Sequence, residues 1–351
     1  MARSVMMKSW LGVVAVLAAC GSPLIAQGVD GRVVRASDSA GVVGALVRLL
    51  DASGERVAQA TTDTGGAFSL RTPTVGRYSV AVLRIGQRPW RSDVLYLAAG
   101  ALRRLTFSVP DEPITLEAIP VETRSRCRTS PSEGSVVAQL LAEADKALTV
   151  ARFAAARPVA GLVVEFYRRT QNRLFDTVDS IGTREYDVAW PINSVPPEVL
   201  AARGFVRDEG DGADAQRGQY TYYGPDAPVL LSQWFLSTHC FGVAEGADSD
   251  SGAVVVTFRP EGGRRADIEG RMVFARPTFE LRRIAWRYVR LPWWVTLDGA
   301  AGEVVLDRLP SGAYLPSRWW MRAPIAWVNS GQEPVGVWGW RESGGRIVPS
   351  P

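Results

Sequence analysis

The chain has 351 residues, and its 40 Lys and Arg stand against 36 Asp and Glu for a net charge of +4. That length allows two domains, each with a sizeable core. Lys occurs only at Lys8 and Lys146, and the Arg residues are scattered among acids rather than gathered in a stripe. Such a pattern argues against a nucleic-acid surface.

The chain opens on a targeting segment. Arg3 and Lys8 precede an apolar run from Trp10 to Ala19, which is too short to span a bilayer. Leu17-Ala18-Ala19-Cys20 resembles a bacterial lipobox, which implies lipidation of Cys20 as the first mature residue and membrane association through that anchor. Alternatively the apolar run extends to Ile25 and a signal peptidase cuts after Ala26. Both readings export the chain to the periplasm or outer membrane. Cys127 and Cys240 then remain in an oxidising compartment. A disulfide between them would constrain the unfolded chain by roughly 4–5 kcal/mol; the alternative is two buried thiols.

From Gly28 the texture is that of short antiparallel strands. In Ala45-Leu46-Val47-Arg48-Leu49 alternate residues face one core, with Arg48 towards water. Asp51-Ala52-Ser53-Gly54 and Asp63-Thr64-Gly65-Gly66 are turns. Phe68 and Leu70 share a face, as do Tyr78, Val80 and Val82. Val94–Leu97 and Leu105–Val109 supply the last strands. The order Gly31-x-Val33, Gly44-Ala45-x-Val47, Thr62-Asp63-x-x-Gly66-x-Phe68-x-Leu70, Gly76-x-Tyr78-x-Val80 resembles the carboxypeptidase regulatory-like domain. The resemblance covers 28–121. It implies a transthyretin-like sandwich of about seven strands, in a family whose members are often accessory domains of secreted or envelope proteins.

Residues 122–157 read as a linker and an amphipathic helix. Ser130-Pro131-Ser132-Glu133 is a helix-start signature. Val137, Leu140, Leu141, Ala144 and Leu148 form its apolar stripe, with Glu143, Asp145 and Lys146 off it. Residues 158–326 return to strands: a hairpin around Thr170–Arg173, a short helical turn at Glu198–Arg203, helical spacing over Val229–Leu236, and long strands after Ala253. Gly270-x-x-x-Phe274, Glu280-Leu281, Tyr288 and Leu291-Pro292 resemble the curved half-barrel sheets of lipoprotein-carrier proteins, which implies a helix packed across the sheet. Residues 327–351 read as an edge strand and a loose tail. The fold class is therefore mainly β: a sandwich followed by a curved antiparallel sheet with a packed helix.

Catalytic patterns are sparse. A zinc peptidase needs at least two His ligands in the usual arrangements, and the chain has only His239. His239 and Cys240 are strand neighbours and point to opposite faces, so they do not form a nucleophile–base pair. Asp187, Glu269, Glu303 and Asp307 are the carboxylates a glycoside hydrolase would draw on. The acidic loops 208–211 and 248–250 lack the EF-hand order. No cofactor is expected. The C-terminal Trp residues are the remaining clue: Trp293, Trp294, Trp319 and Trp320 are candidate ligand-stacking residues, and one ring of the Trp319-Trp320 pair must face away from the core. These observations favour a non-enzymatic envelope binding or scaffold protein with an acyl, glycan or envelope-protein partner. The rivals are a carbohydrate-binding module protein and an unrecognised hydrolase.

Overall fold

The computed structural model describes residues 27–116, 131–155, 161–172, 174, 176–185, 190–209, 219–245, 252–295, 299–309 and 312–350. Cys20, Cys127, Ser130, Asp187 and the loop 248–250 lie outside them, as do Gly210 and Asp211 of the other acidic loop.

The first domain is a β-sandwich of eight strands. One sheet joins β1 (Gln27–Arg35), β4 (Ala67–Thr72) and β8 (Leu102–Val109) in the order β4-β1-β8, with β1 and β8 parallel. The facing sheet has the order β3-β2-β5-β6, from β2 (Leu46–Leu50), β3 (Arg56–Thr61), β5 (Gly76–Leu83) and β6 (Trp90–Arg91), with β7 (Leu95–Leu97) also on β5. The count exceeds seven because β5 pairs with two short strands in succession, first β7 through Gly76–Tyr78, then β6 through Ala81–Val82. The two sheets bury Val29, Val47, Leu49, Leu70, Val80 and Phe107 between them.

The turns follow from their residues. Asp63 Oδ1 accepts from the Gly65 and Ala67 amides at 2.9 and 2.8 Å. Gly66 has φ +81°, and a Cβ there would lie 2.3 Å from the Val33 carbonyl oxygen, so glycine is required. Thr62 is buried but satisfied: its hydroxyl donates to Val42 O at 2.6 Å and accepts from Ala45 N at 2.8 Å. Trp90 is half-buried in β6, with its ring 5.7 Å from that of Phe107.

The second domain is a nine-stranded antiparallel sheet. Its strands are β9 (Leu162–Gln171), β10 (Asp176–Glu185), β13 (His239–Glu245), β14 (Ala253–Pro260), β15 (Asp267–Ala275), β16 (Glu280–Val289), β17 (Ala301–Arg308), β18 (Tyr314–Val328) and β19 (Pro334–Pro349). Their order is β10-β9-β19-β18-β17-β16-β15-β14-β13. A separate ribbon pairs β11 (Val206–Asp208) with β12 (Tyr220–Tyr222). The short helices α2 (Pro197–Arg203), α3 (Ala227–Leu230) and α4 (Gln233–Thr238) follow the helical spacings in the sequence, α3 and α4 starting at the caps Asp226 and Ser232.

The long helix α1 (Pro131–Ala155) covers one face of the sheet, packing against β13, β16 and β18. Leu140, Ala144, Ala147, Leu148 and Ala151 meet Val256, Phe258, Met272, Ile284, Trp286, Val304 and Trp319 in one core. Each fully buried Leu contributes about 1.5–3 kcal/mol. The same core takes in Leu46 of the sandwich, with Ile85 and Ile114 packed against it.

Three expectations are corrected. The C-terminal stretch is neither an edge nor a loose tail: β19 lies between β9 and β18, and the edges are β10 and β13. Glu143 and Lys146 are not on a solvated face. Both are buried at the junction of the two domains, where Lys146 Nζ lies 2.5 Å from Glu143 Oε1 and donates to Gln87 O at 2.9 Å, while Glu143 Oε2 accepts from Gly86 N at 2.8 Å. Arg48 likewise turns to α1 and pairs with Asp145 at 2.9 Å. The third concerns the cysteines. No disulfide is found between two described residues: Cys240 is in the disulfide state rather than a free thiol, but Cys127 lies outside the described residues, so the Cys127–Cys240 bridge is withdrawn as a feature of this structure.

Candidate binding face

The antiparallel register aligns side chains across the sheet, because directly opposed residues share a face. One row crosses all nine strands on the side away from α1. From β13 to β10 it reads Gly242, Thr257, Arg271, Ala285, Glu303, Trp320, Gly344, Tyr167, Ile181. At about 4.8 Å per strand the row is roughly 38 Å long.

Arg and Glu dominate the flanking rows. Arg287 Nε donates to Glu269 at 2.6 Å, Arg346 to Glu165 at 2.7 Å, and Arg283 lies 3.4 Å from Glu303. Alternating charges of this kind are what any solvated antiparallel face carries. Two aromatic residues with a glycine between them are not part of that pattern. Trp320 and Tyr167 are both half-buried and flank Gly344 in register. A Cβ on Gly344 would lie 2.8 Å from Tyr167 Cε1 and Oη and 2.6 Å from the Trp319 carbonyl oxygen, so the tyrosine ring rests over bare backbone. Tyr167 donates to Glu342 at 2.9 Å, and burial, reinforced by that carboxylate, pushes its phenol up to about 12. It therefore stays a neutral hydroxyl at neutral pH.

A groove opens on each side of Trp320. The larger, about 610 Å³, is lined by Arg259, Arg271, Arg287, Glu269, Glu303 and Trp320. The smaller, about 420 Å³, is lined by Tyr167, Ile181, Arg318, Glu342, Arg346 and Trp320. The floor of the larger is low where the row and its neighbours carry Gly242, Ala285 and Ala301.

The four Trp residues singled out in the sequence do not form one cluster. Trp319 is buried in the core and Trp320 faces the opposite side, as strand alternation requires. Trp294 is buried, its ring 4.9 Å from that of Tyr220, while its neighbour Trp293 is 77% exposed. Of the four, Trp320 alone lines both grooves, and Trp319 borders the smaller. Tyr167 and Gly344 escaped the sequence reading, since their opposition to Trp320 depends on β19 entering between β9 and β18.

His239 is structural in its setting. Its side chain is fully buried, its ring stacks 3.7 Å from Phe235, and its Nε2 lies 3.3 Å from Asp267. Glu269 and Glu303 both line the larger groove but are engaged by Arg287 and Arg283, and Asp307 accepts from Ser317 at 2.6 Å. Among the described residues no group of three or more His, Cys, Asp or Glu could hold a metal ion. No helix among them is long and apolar enough to cross a membrane.

Residues 28–110 match the model of the carboxypeptidase regulatory-like domain. No curated protein matches the chain. Among solved structures, 5-hydroxyisourate hydrolase of Klebsiella pneumoniae is 14% identical, with a TM-score of 0.21 over 24% of this chain and 86% of its own. A 9R-lipoxygenase from Cyanothece PCC8801 is 10% identical, with a TM-score of 0.20 over 81% of this chain and 41% of its own. A putative membrane-associated protein of unknown function from Bacteroides fragilis NCTC 9343 is 11% identical, with a TM-score of 0.19 over 93% of this chain and 98% of its own. Similarities this low carry no functional argument.

Proposed function

We propose, from the premise that residues 28–110 are a carboxypeptidase regulatory-like domain, that the chain is a non-catalytic binding or scaffold protein of the bacterial cell envelope. Its binding surface is the outer face of the nine-stranded sheet. The observation that carries this reading is the aligned row Trp320–Gly344–Tyr167, in which Trp320 lines both grooves and Tyr167 the smaller. A solvated face has no need of a half-buried indole with open space on either side. The carboxylates of the larger groove are held by Arg, which leaves neither a proton donor nor a free base of the kind a hydrolase uses. Export rests on the basic and apolar N-terminal segment, and anchoring on lipidation of Cys20.

One fractionation experiment tests both parts. Wild type should sediment with bacterial envelopes and enter the detergent phase. Cys20→Ser should leave the detergent phase, and lipid-free protein carrying Trp320→Ala should lose sedimentation with isolated envelopes. Equal sedimentation of lipid-free wild type and Trp320→Ala would overturn the binding face, and a detergent-soluble Cys20→Ser would overturn the anchor.

A further inference from the structure

Resting on that reading, we infer that the outer face holds a glycan chain, lying across the strands along the row from Glu303 to Tyr167. Three features of the site select this ligand chemistry. The first is the aromatic pair. A pyranose ring presents an apolar C–H face, which stacks on an indole or phenol, and the rim of hydroxyls then points sideways. Trp320 offers such a face, and the absence of a side chain on Gly344 lets the Tyr167 ring lie over the backbone beside it, so the two aromatic groups are neighbours on one face.

The second is the polar lining. Each groove carries three or more charged side chains of both signs beside Trp320: Arg271, Arg287, Glu269 and Glu303 on one side, Arg318, Arg346 and Glu342 on the other. An Arg–carboxylate pair still has N–H donors and oxygen lone pairs to spare, and these match vicinal hydroxyls, which donate and accept at once. An acyl chain would strand those groups without partners. A nucleic-acid backbone would meet Glu269 and Glu303 in one groove and Glu165 and Glu342 in the other, which repel phosphate.

The third is the geometry. Trp320 separates two grooves that open along the same row, so an extended chain can fill both while one sugar sits on the indole. Over β13, β16 and β18 the other face is closed, since Ile284, Trp286, Val304 and Trp319 pack in the core shared with α1.

The full mature chain should be titrated calorimetrically with neutral hexasaccharides of glucose, xylose and N-acetylglucosamine and with hexagalacturonate. Saturable binding to at least one is expected, and the neutral and acidic arms identify the kind of sugar. Affinity should rise with chain length until both grooves are filled. Trp320→Ala should weaken binding about tenfold or more, and Trp320→Phe should restore most of it. Trp327→Ala, on an exposed residue outside the grooves, should change nothing. No saturable binding to any of the four, or binding indifferent to Trp320→Ala with Trp320→Phe folded, overturns the glycan. If envelope sedimentation still requires Trp320 in that event, the face is a binding surface for something else and only this inference falls.

Discussion

At the scale of single residues, the pair Glu143–Lys146 holds the two domains together. Both side chains are 3% exposed, and both bond to the sandwich loop Arg84–Gln87. The loop can enter this site because Gly86, at φ +75°, brings its backbone against Thr278, where a Cβ would lie 2.0 Å from the carbonyl oxygen. Burial holds the Glu143 carboxyl above its ordinary range, against the opposing pull of Lys146 and the Gly86 amide. A raised acid binds its proton more tightly in the folded chain. Its contribution is therefore fully present below the unfolded pKa and is lost as pH rises through the folded one. Lys146→Met leaves the carboxylate without its cation and should cost about 3–5 kcal/mol at neutral pH. Part of that loss should return as the pH falls towards the carboxylate range, because a protonated Glu143 no longer needs Lys146. Urea unfolding at two pH values measures this, and an equal loss at both would show that Glu143 is not the charge left behind.

At the scale of elements, the hairpin of β18 and β19 organises the sheet. Their pairing runs from Arg318–Arg346 to Val328–Pro334, and β19 also pairs with β9 from Leu162 to Gln171. This one strand connects the β9–β10 hairpin to the other six strands of the sheet. Deleting 334–351 should therefore abolish cooperative unfolding rather than trim an edge, since it exposes the ladder edges of both β9 and β18. A truncated chain that keeps a sharp thermal transition near that of wild type would show that β9 and β10 are dispensable. The true edge β10 is protected by other means: a bulge between Val178 and Ser180, and charges at Asp176, Asp179 and Arg184.

At the scale of the whole molecule, the sandwich and the sheet share a core. Leu46 is fully buried with the second domain's residues, Ile85 and Ile114 pack on them, and α1 touches β2 and β3 as well as the sheet. Separate expression of 27–121 would bare these apolar residues and the Gly86 amide. We expect one calorimetric transition for the intact chain and a fragment markedly less stable than the domain within it. Two resolved transitions, the first matching the isolated fragment, would mean that the junction adds no coupling.

Much of this was legible in the residues alone. The sandwich showed in its turns, because Asp63 and Gly66 act through bonds and backbone angles set within a few positions of themselves. Long strands, the helix and the opposed faces of Trp319 and Trp320 followed from periodicity, which is also local. What lay beyond the sequence was everything that depends on strand order. β19 reads as a tail until β9 is found beside it, and Glu143 and Lys146 read as solvated until a loop from another domain closes over them. The row that sets Trp320 beside Gly344 and Tyr167 joins residues more than a hundred and fifty positions apart. Hydrophobic pattern fixes which face of a strand is buried; only the packed sheet decides which strands lie side by side, and therefore which exposed side chains meet.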